Sequence, residues 1–327
     1  MTNNVKGYCK ALVVFIDILG SKNYNSFAEL FKINELFHTE LLNNKNQDRD
    51  YLAYQRHIYT FSDCAYLIYD YKDKSTSNLG ALFNVALLNC EPMIMKFLSE
   101  RILVRGGIAY DDVFYDENKN MFFGDAINRA YKYESEIAKF PRIIIDECVA
   151  NEVIKYKNKI NKYSKQLNYN ESLFLNDYCG CIIKLDVDNR YYFNYFNSIQ
   201  QGKDYSYIIG KSNKLFLEDL INMCDENIDL YKKNDSIKIK YEWLKDYAEQ
   251  SKNENINEVV EYTKPYWDKF FEQISSKQKS SFIGAMMLSN VGIGMFAKIE
   301  IRLFEKFSSN NILELLLQVG ETNGKDK

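Results

Sequence analysis

The stretch ALVVFIDILG, Ala11 to Gly20, decides how the N-terminal half of this chain reads. Ala11 to Ile16 is a short apolar run rich in β-branched residues and suits a buried strand. Asp17 closes it. A carboxylate there is costly unless it is exposed at the strand end, paired, or bound to a cation. The second informative stretch is YQRHIYTFSDCAYLIYDY, residues 54–71. Two strand-like runs, Tyr54 to Phe61 and Ala65 to Tyr69, are separated by Ser62, Asp63 and Cys64, which predicts a hairpin with a polar tip at Ser62-Asp63. If that hairpin pairs beside the first strand, Asp17 and Asp63 converge at one end of a sheet. Two carboxylates and a backbone carbonyl are hard oxygen donors of the kind Mg²⁺ and Mn²⁺ prefer. Taken singly, each is also an ordinary capping or turn aspartate.

Working outward, residues 26–42 carry a helical stripe (Phe27, Leu30, Phe31, Ile33, Leu36, Phe37). Leu79 to Leu98 is helical in pattern, with Pro92 expected to break or kink it. The block Val104 to Asp146 opens on a strand, Ile102 to Tyr110, whose Gly106 and Gly107 permit close approach by a ligand or by another element. Arg105 beside them is placed to reach a phosphate. A short strand at Met121 to Phe123 follows, then a helix capped by Asp125 and running to about Ala138, then a strand at Ile143 to Ile145. On that helix Asn128 and Lys132 are four apart and share a polar face. Ile127, Ala130, Tyr131 and Ala138 mark the packing face. Residues 155–170 read as a solvated helix and loop. Cys181 to Leu185 and Tyr191 to Tyr195 read as a second hairpin across Asp186 to Arg190. Helical stripes begin near Lys214, at Lys238 to Gln250 and around Pro265. The expected division is a catalytic domain over residues 1–160 and a hairpin plus helical region over 161–327.

Composition removes whole classes of function. The 327 residues include 42 basic and 45 acidic side chains, a formal charge of −3, without the basic excess that phosphate-backbone binding requires. Two histidines, His38 and His57, leave no material for a clustered His metal site. Seven cysteines is an odd number without disulfide-framework spacing, which fits a reducing cytoplasm. The start lacks a signal-peptide pattern. Ser280 to Ala297 is uncharged but carries Asn290 and three glycines, a poor membrane span.

The ordered series FIDILG, TFSDCAYL, RGGIAYDDVF, FFGDAINRAYKYE and PRIIID resembles the class III nucleotidyl cyclase domain, most closely the cyclases of bacterial Pycsar antiphage systems, over residues 8–150. The resemblance implies an α+β, ferredoxin-like palm of antiparallel-rich sheet flanked by helices, followed by a mainly helical C-terminal region. It implies a cytoplasmic homodimer with shared sites and two Mg²⁺ or Mn²⁺ ions per site. Asp17, Asp63 and the Ile18 carbonyl match the metal ligands. Tyr59 falls at the base-reading position, Arg105 at a strand arginine near the nucleotide, and Asn128 at the helix residue that orients the ribose. The expected substrate is a pyrimidine nucleoside triphosphate, UTP before CTP, and the expected product a cyclic monophosphate read by a separate effector. Two positions depart from the pattern. Lys132 stands where the family has a helix arginine and lacks its bidentate fork. Asp111 stands where a glycine is common, and a carboxylate near a triphosphate is repulsive unless it turns away. The alternatives are a purine cyclase, a degenerate cyclase-homology module that binds nucleotide or partner without turnover, and a scaffold whose tyrosines (Tyr191, Tyr192, Tyr205, Tyr207) bind a partner.

Overall fold

The computed structural model describes residues 7–21, 26–46, 53–73, 78–164, 181–201 and 204–253. The uncharged stretch at 280–297 and the expected helix around Pro265 lie outside them. The protein is α+β. Its elements are β1 (Cys9–Ile18), α1 (Phe27–Asn46), β2 (Tyr54–Phe61), β3 (Cys64–Tyr71), α2 (Leu79–Ser99), β4 (Val104–Asp116), β5 (Met121–Gly124), α3 (Asp125–Lys132), β6 (Ile143–Ile145) and α4 (Glu147–Ser164). There follow β7 (Ile183–Leu185), β8 (Tyr191–Phe193), the short α5 (Asn197–Gln200) and α6 (Ser206–Ile209), α7 (Asn213–Leu230) and α8 (Asp235–Asn253).

One mixed sheet of eight strands organises the chain, in the order β2-β3-β1-β4-β6-β8-β7, with β5 paired to β4. β1 is central and antiparallel to both neighbours, while β4 and β6 run parallel. The period-two alternation of a strand sends successive side chains to opposite faces. Leu12, Val14, Ile16 and Ile18 enter the larger core, and Ala11, Val13 and Phe15 enter a smaller one shared with Ile127 and Ala130 of α3. Two strands of the sheet, β7 and β8, come from beyond residue 160, and Phe193, Phe216, Leu244 and Tyr247 belong to the larger core, so one sheet and one core run across that position.

Three local expectations are corrected. Pro92 does not interrupt α2, which runs unbroken past it with sixteen of its 21 residues buried. An interior proline costs about 3 kcal/mol, whereas each large side chain buried recovers ~1.5–3 kcal/mol, so packing decides. This helix is long and apolar enough to cross a membrane, yet it is buried against α1, α4 and the sheet. Asp125 does not cap α3. The cap position is Gly124, at φ 141°, and Asp125 is the first helical residue. Tyr131, expected on the packing face of α3, is 53% exposed.

Candidate active site

The polar end of β1 is where the sheet concentrates charge. In register, Asp17 lies between Cys64 of β3 and Arg105 of β4. Only Ser62 and Asp63 separate β2 from β3, and Ser62 takes a left-handed φ of 52° to close so short a turn. The Ile18 N–H donates to the Asp63 carbonyl at 3.0 Å and fastens the hairpin tip to the end of β1. The next residue is held from the other side, by the Leu19 N–H to the Leu103 carbonyl at 2.8 Å. Asp17, Ile18, Asp63 and Arg105 are thereby brought together at one end of the sheet.

A further acid completes the group. Glu134, buried, takes an ion pair from Arg105 at 2.5 Å, while the same arginine lies 3.5 Å from Asp17. Burial raises the Asp17 carboxyl above the ordinary range; Arg105 opposes the rise and the charge of Asp63 adds to it. Burial likewise pushes Glu134 up to about 7, with Arg105 opposing and Asp17 and Asp63 adding. Cys64 is pushed up to about 11 by burial and by the carboxylates, so it sits there as a neutral thiol.

Glu134 was not singled out in the sequence, although a signal exists. Ile127, Ala130, Glu134 and Ala138 are spaced three, four and four, which places a carboxylate on the apolar stripe of the helix. The wide turn that carries it, Tyr133–Ile137, closes by the Ala138 N–H to the Tyr133 carbonyl at 2.8 Å. Such single wide turns are frequent at functional sites. The paired glycines serve packing. A Cβ on Gly107 would lie 2.1 Å from the Ala130 carbonyl oxygen, so Gly107 lets α3 lie directly on β4.

The remaining sequence candidates are placed differently. Asn128 and Lys132 are exposed on α3, and the one ion pair of Lys132 is a loose one to Glu136 at 3.9 Å. No hydrogen bond or ion pair among the described residues joins either to Asp17 within one chain. Tyr59 is buried in the smaller core with Phe15, its ring stacked on Phe122 at a centroid separation of 4.5 Å. Its hydroxyl has no hydrogen-bond partner among the described residues, and burial pushes its pKa up to about 12. Asp111 turns away from Asp17, to Lys10 and to Arg129, and its pKa falls to about 2. Arg129 also holds Asp146 at 2.8 Å, tying α3 to β4 and to the end of β6. Of the four tyrosines considered as binding aromatics, Tyr192 and Tyr205 are buried.

Comparison with known proteins returns a short answer. The chain matches no family model, no curated protein and no solved structure. Chemistry therefore rests on the site itself. Among the described residues no three His, Cys, Asp or Glu side chains are grouped to hold a metal unaided. What Asp17 and Asp63 offer is a pair of hard oxygen donors whose charges act on one another across a partly exposed end of the sheet. That donor set suits Mg²⁺ or Mn²⁺ when a ligand's phosphates fill the remaining positions.

Proposed function

We propose that this protein is a cytoplasmic nucleotidyl cyclase that converts a pyrimidine nucleoside triphosphate, UTP before CTP, into the 3′,5′-cyclic monophosphate and pyrophosphate. The observation that carries the reading is the convergence of Asp17 and Asp63 from two separate elements, with Arg105 directly across the strand pair. Bound Mg²⁺ or Mn²⁺ would supply charge neutralisation to the triphosphate and acidity to the 3′-hydroxyl. Asp17 and Asp63 serve as anchors for that cation charge, and the hairpin clamp fixes their separation. The 3′-hydroxyl gives its proton to solvent, its oxygen forms a bond to the α-phosphorus, the bond from the α-phosphorus to the bridging oxygen breaks, and pyrophosphate leaves with the electron pair. The chain's task is positioning and electrostatics, for which histidine is not needed. Arg105 is poised to exchange a carboxylate partner for a phosphate oxygen. Asn128 and Lys132, outward-facing on α3, act across a homodimer on the site of the partner subunit. The unpaired hydroxyl of Tyr59 awaits a hydrogen-bond partner, and the pyrimidine base supplies it. The product signals to a separate cyclic-nucleotide-sensing effector in antiphage defence. Asp111, the residue that motivates a degenerate binding module, is neutralised by Lys10 and Arg129 and removed from the triphosphate's path.

The test is product identification by mass spectrometry with UTP, CTP, ATP and GTP in the presence of Mn²⁺. Wild type is expected to form a cyclic pyrimidine nucleotide, and Asp17→Ala and Asp63→Ala to form none while retaining wild-type circular dichroism. Turnover by either variant contradicts the proposed mechanism.

A further inference from the structure

The face of the sheet that carries Asp17 also carries a row of aromatic rings. Alternate residues of a strand point the same way, so Phe15, two residues before Asp17, shares its face. In register Phe15 lies opposite Tyr66, as Asp17 lies opposite Cys64. The Phe15 and Tyr66 ring centroids are 4.4 Å apart. Two further rings flank this pair. Over β1, Tyr131 of α3 meets Phe15 edge-on at 5.8 Å. Over β2 and β3, Phe122 of β5 meets Tyr66 at 5.0 Å and Tyr59 at 4.5 Å. Phe15 and Tyr59 are buried in the smaller core, and Tyr66 and Phe122 pack against it half-buried. Tyr131 is the open end of the row, 53% exposed although its ring touches a buried one. The contact with Phe15 sets Tyr131 over the sheet of its own chain, beside the end where Asp17, Asp63 and Arg105 meet.

An exposed phenol ring beside a buried one is stacking surface left open, and a flat ligand laid on it removes that surface from water. The charged neighbours select the kind of flat ligand. A polyphosphate held with its cation at Asp17 and Asp63 lays the group attached to it along the same face of the sheet. Phe15 stands about 7 Å from Asp17 at ~3.3 Å per residue, a span that one ribose bridges. We propose that the nucleobase of the bound triphosphate stacks on Tyr131, over the Phe15–Tyr66 pair. Stacking accepts any base because every base has a π-face, so Tyr131 supplies affinity and leaves the choice of base to Tyr59. This rests on the reading of the Asp17 end of the sheet as the nucleotide site.

The probe is 3′-deoxy-UTP with Mg²⁺, which lacks the attacking hydroxyl and cannot cyclise. It is titrated calorimetrically into the full-length wild type, Tyr131→Ala, Tyr131→Trp and the control Tyr8→Ala, with inorganic tripolyphosphate and Mg²⁺ as the ligand without a base. Tyr8 is a similarly exposed tyrosine at the opposite end of β1 from Asp17. Loss of one base–aromatic stack weakens binding by about fivefold to a hundredfold. Tyr131→Ala is expected to lose that much affinity for 3′-deoxy-UTP and none for tripolyphosphate. Tyr131→Trp is expected to keep both, and Tyr8→Ala to match wild type. Parallel weakening of both ligands in Tyr131→Ala, with a lowered Tm, makes the ring a structural one and overturns the proposal. Wild-type affinity of Tyr131→Ala for 3′-deoxy-UTP, or no binding by wild type, also overturns it. If binding depends on Tyr131 but no cyclic nucleotide forms from UTP, CTP, ATP or GTP, the cyclase reading fails and this one stands. If cyclic product forms with the same KM in wild type and Tyr131→Ala, the cyclase reading stands and this one fails.

Discussion

Replacing Glu134 by glutamine tests the electrostatics of the charged end of the sheet independently of catalysis. Glu134 is 4% exposed and its carboxyl is raised from 4.5 to about 7, mainly by burial. A carboxyl raised in the folded state favours the fold while protonated. That contribution is fully present below the unfolded value near 4.5 and is lost as pH rises through about 7. The rise from 4.5 to about 7 corresponds to roughly 3 kcal/mol. Arg105, paired with Glu134, compensates part of the charge, which reduces the expected loss between pH 5 and pH 8 to about 1–3 kcal/mol. At about 2–4 °C per kcal/mol, Tm falls by roughly 2–12 °C across that range from this group. Glu134→Gln keeps the shape but does not titrate. Melting followed by circular dichroism at half-unit steps should show wild type losing ground to the variant as pH rises, after background effects common to both cancel in the difference. A wild-type-minus-variant Tm that stays constant from pH 5 to pH 8 would refute the reasoning.

The other predictions concern assembly, the base and packing. Mixing inactive Asp17→Ala and inactive Asn128→Ala proteins should restore part of the activity by reconstituting one intact site per mixed dimer. No recovery, in a mixture shown by native mass spectrometry to exchange subunits, places both residues in one protomer's site. Tyr59→Phe removes a buried hydroxyl without a partner. It should raise the Tm of the ligand-free protein, since such a group costs about 1–3 kcal/mol, while reducing the preference in kcat/KM for the favoured pyrimidine by up to roughly tenfold. A lower Tm with unchanged ratios among the four triphosphates makes Tyr59 a packing residue only. Gly107→Ala places a Cβ against the Ala130 carbonyl and should cost more than the ~1–3 kcal/mol of ordinary overpacking, because backbone cannot step aside. A Tm within a degree or two of wild type excludes the close seating of α3 on β4.

The order of strands and helices as far as β6 was legible because each element announces its period. The hairpin tip was readable from three residues between two strand-like runs, and with it the meeting of Asp17 and Asp63. What escaped was the effect of the third dimension on single side chains. The seven residues from Tyr59 to Ala65 do not disclose that Phe122, far along the chain, will cover Tyr59. Nor does Pro92 disclose that α2 will be largely buried. Arg105 was legible as a cation near the site but not as the partner of Glu134, since that pair depends on Gly107 letting α3 approach. Arg129 and Asp111, eighteen residues apart, meet because α3 folds back over β4.

The bond from the Ile18 N–H to the Asp63 carbonyl has a consequence for how the two carboxylates come together. It joins positions separated by a whole helix and a strand, so closing it carries the loop-closure entropy of a long excursion of chain. The two carboxylates are therefore strangers in any species in which the hairpin has not yet docked on the central strand. A cation that bridges them selects the docked form and stabilises it by mass action. In this protein the pairing of the two carboxylates exists only once the hairpin has docked, and any cation held by both would favour that docked form.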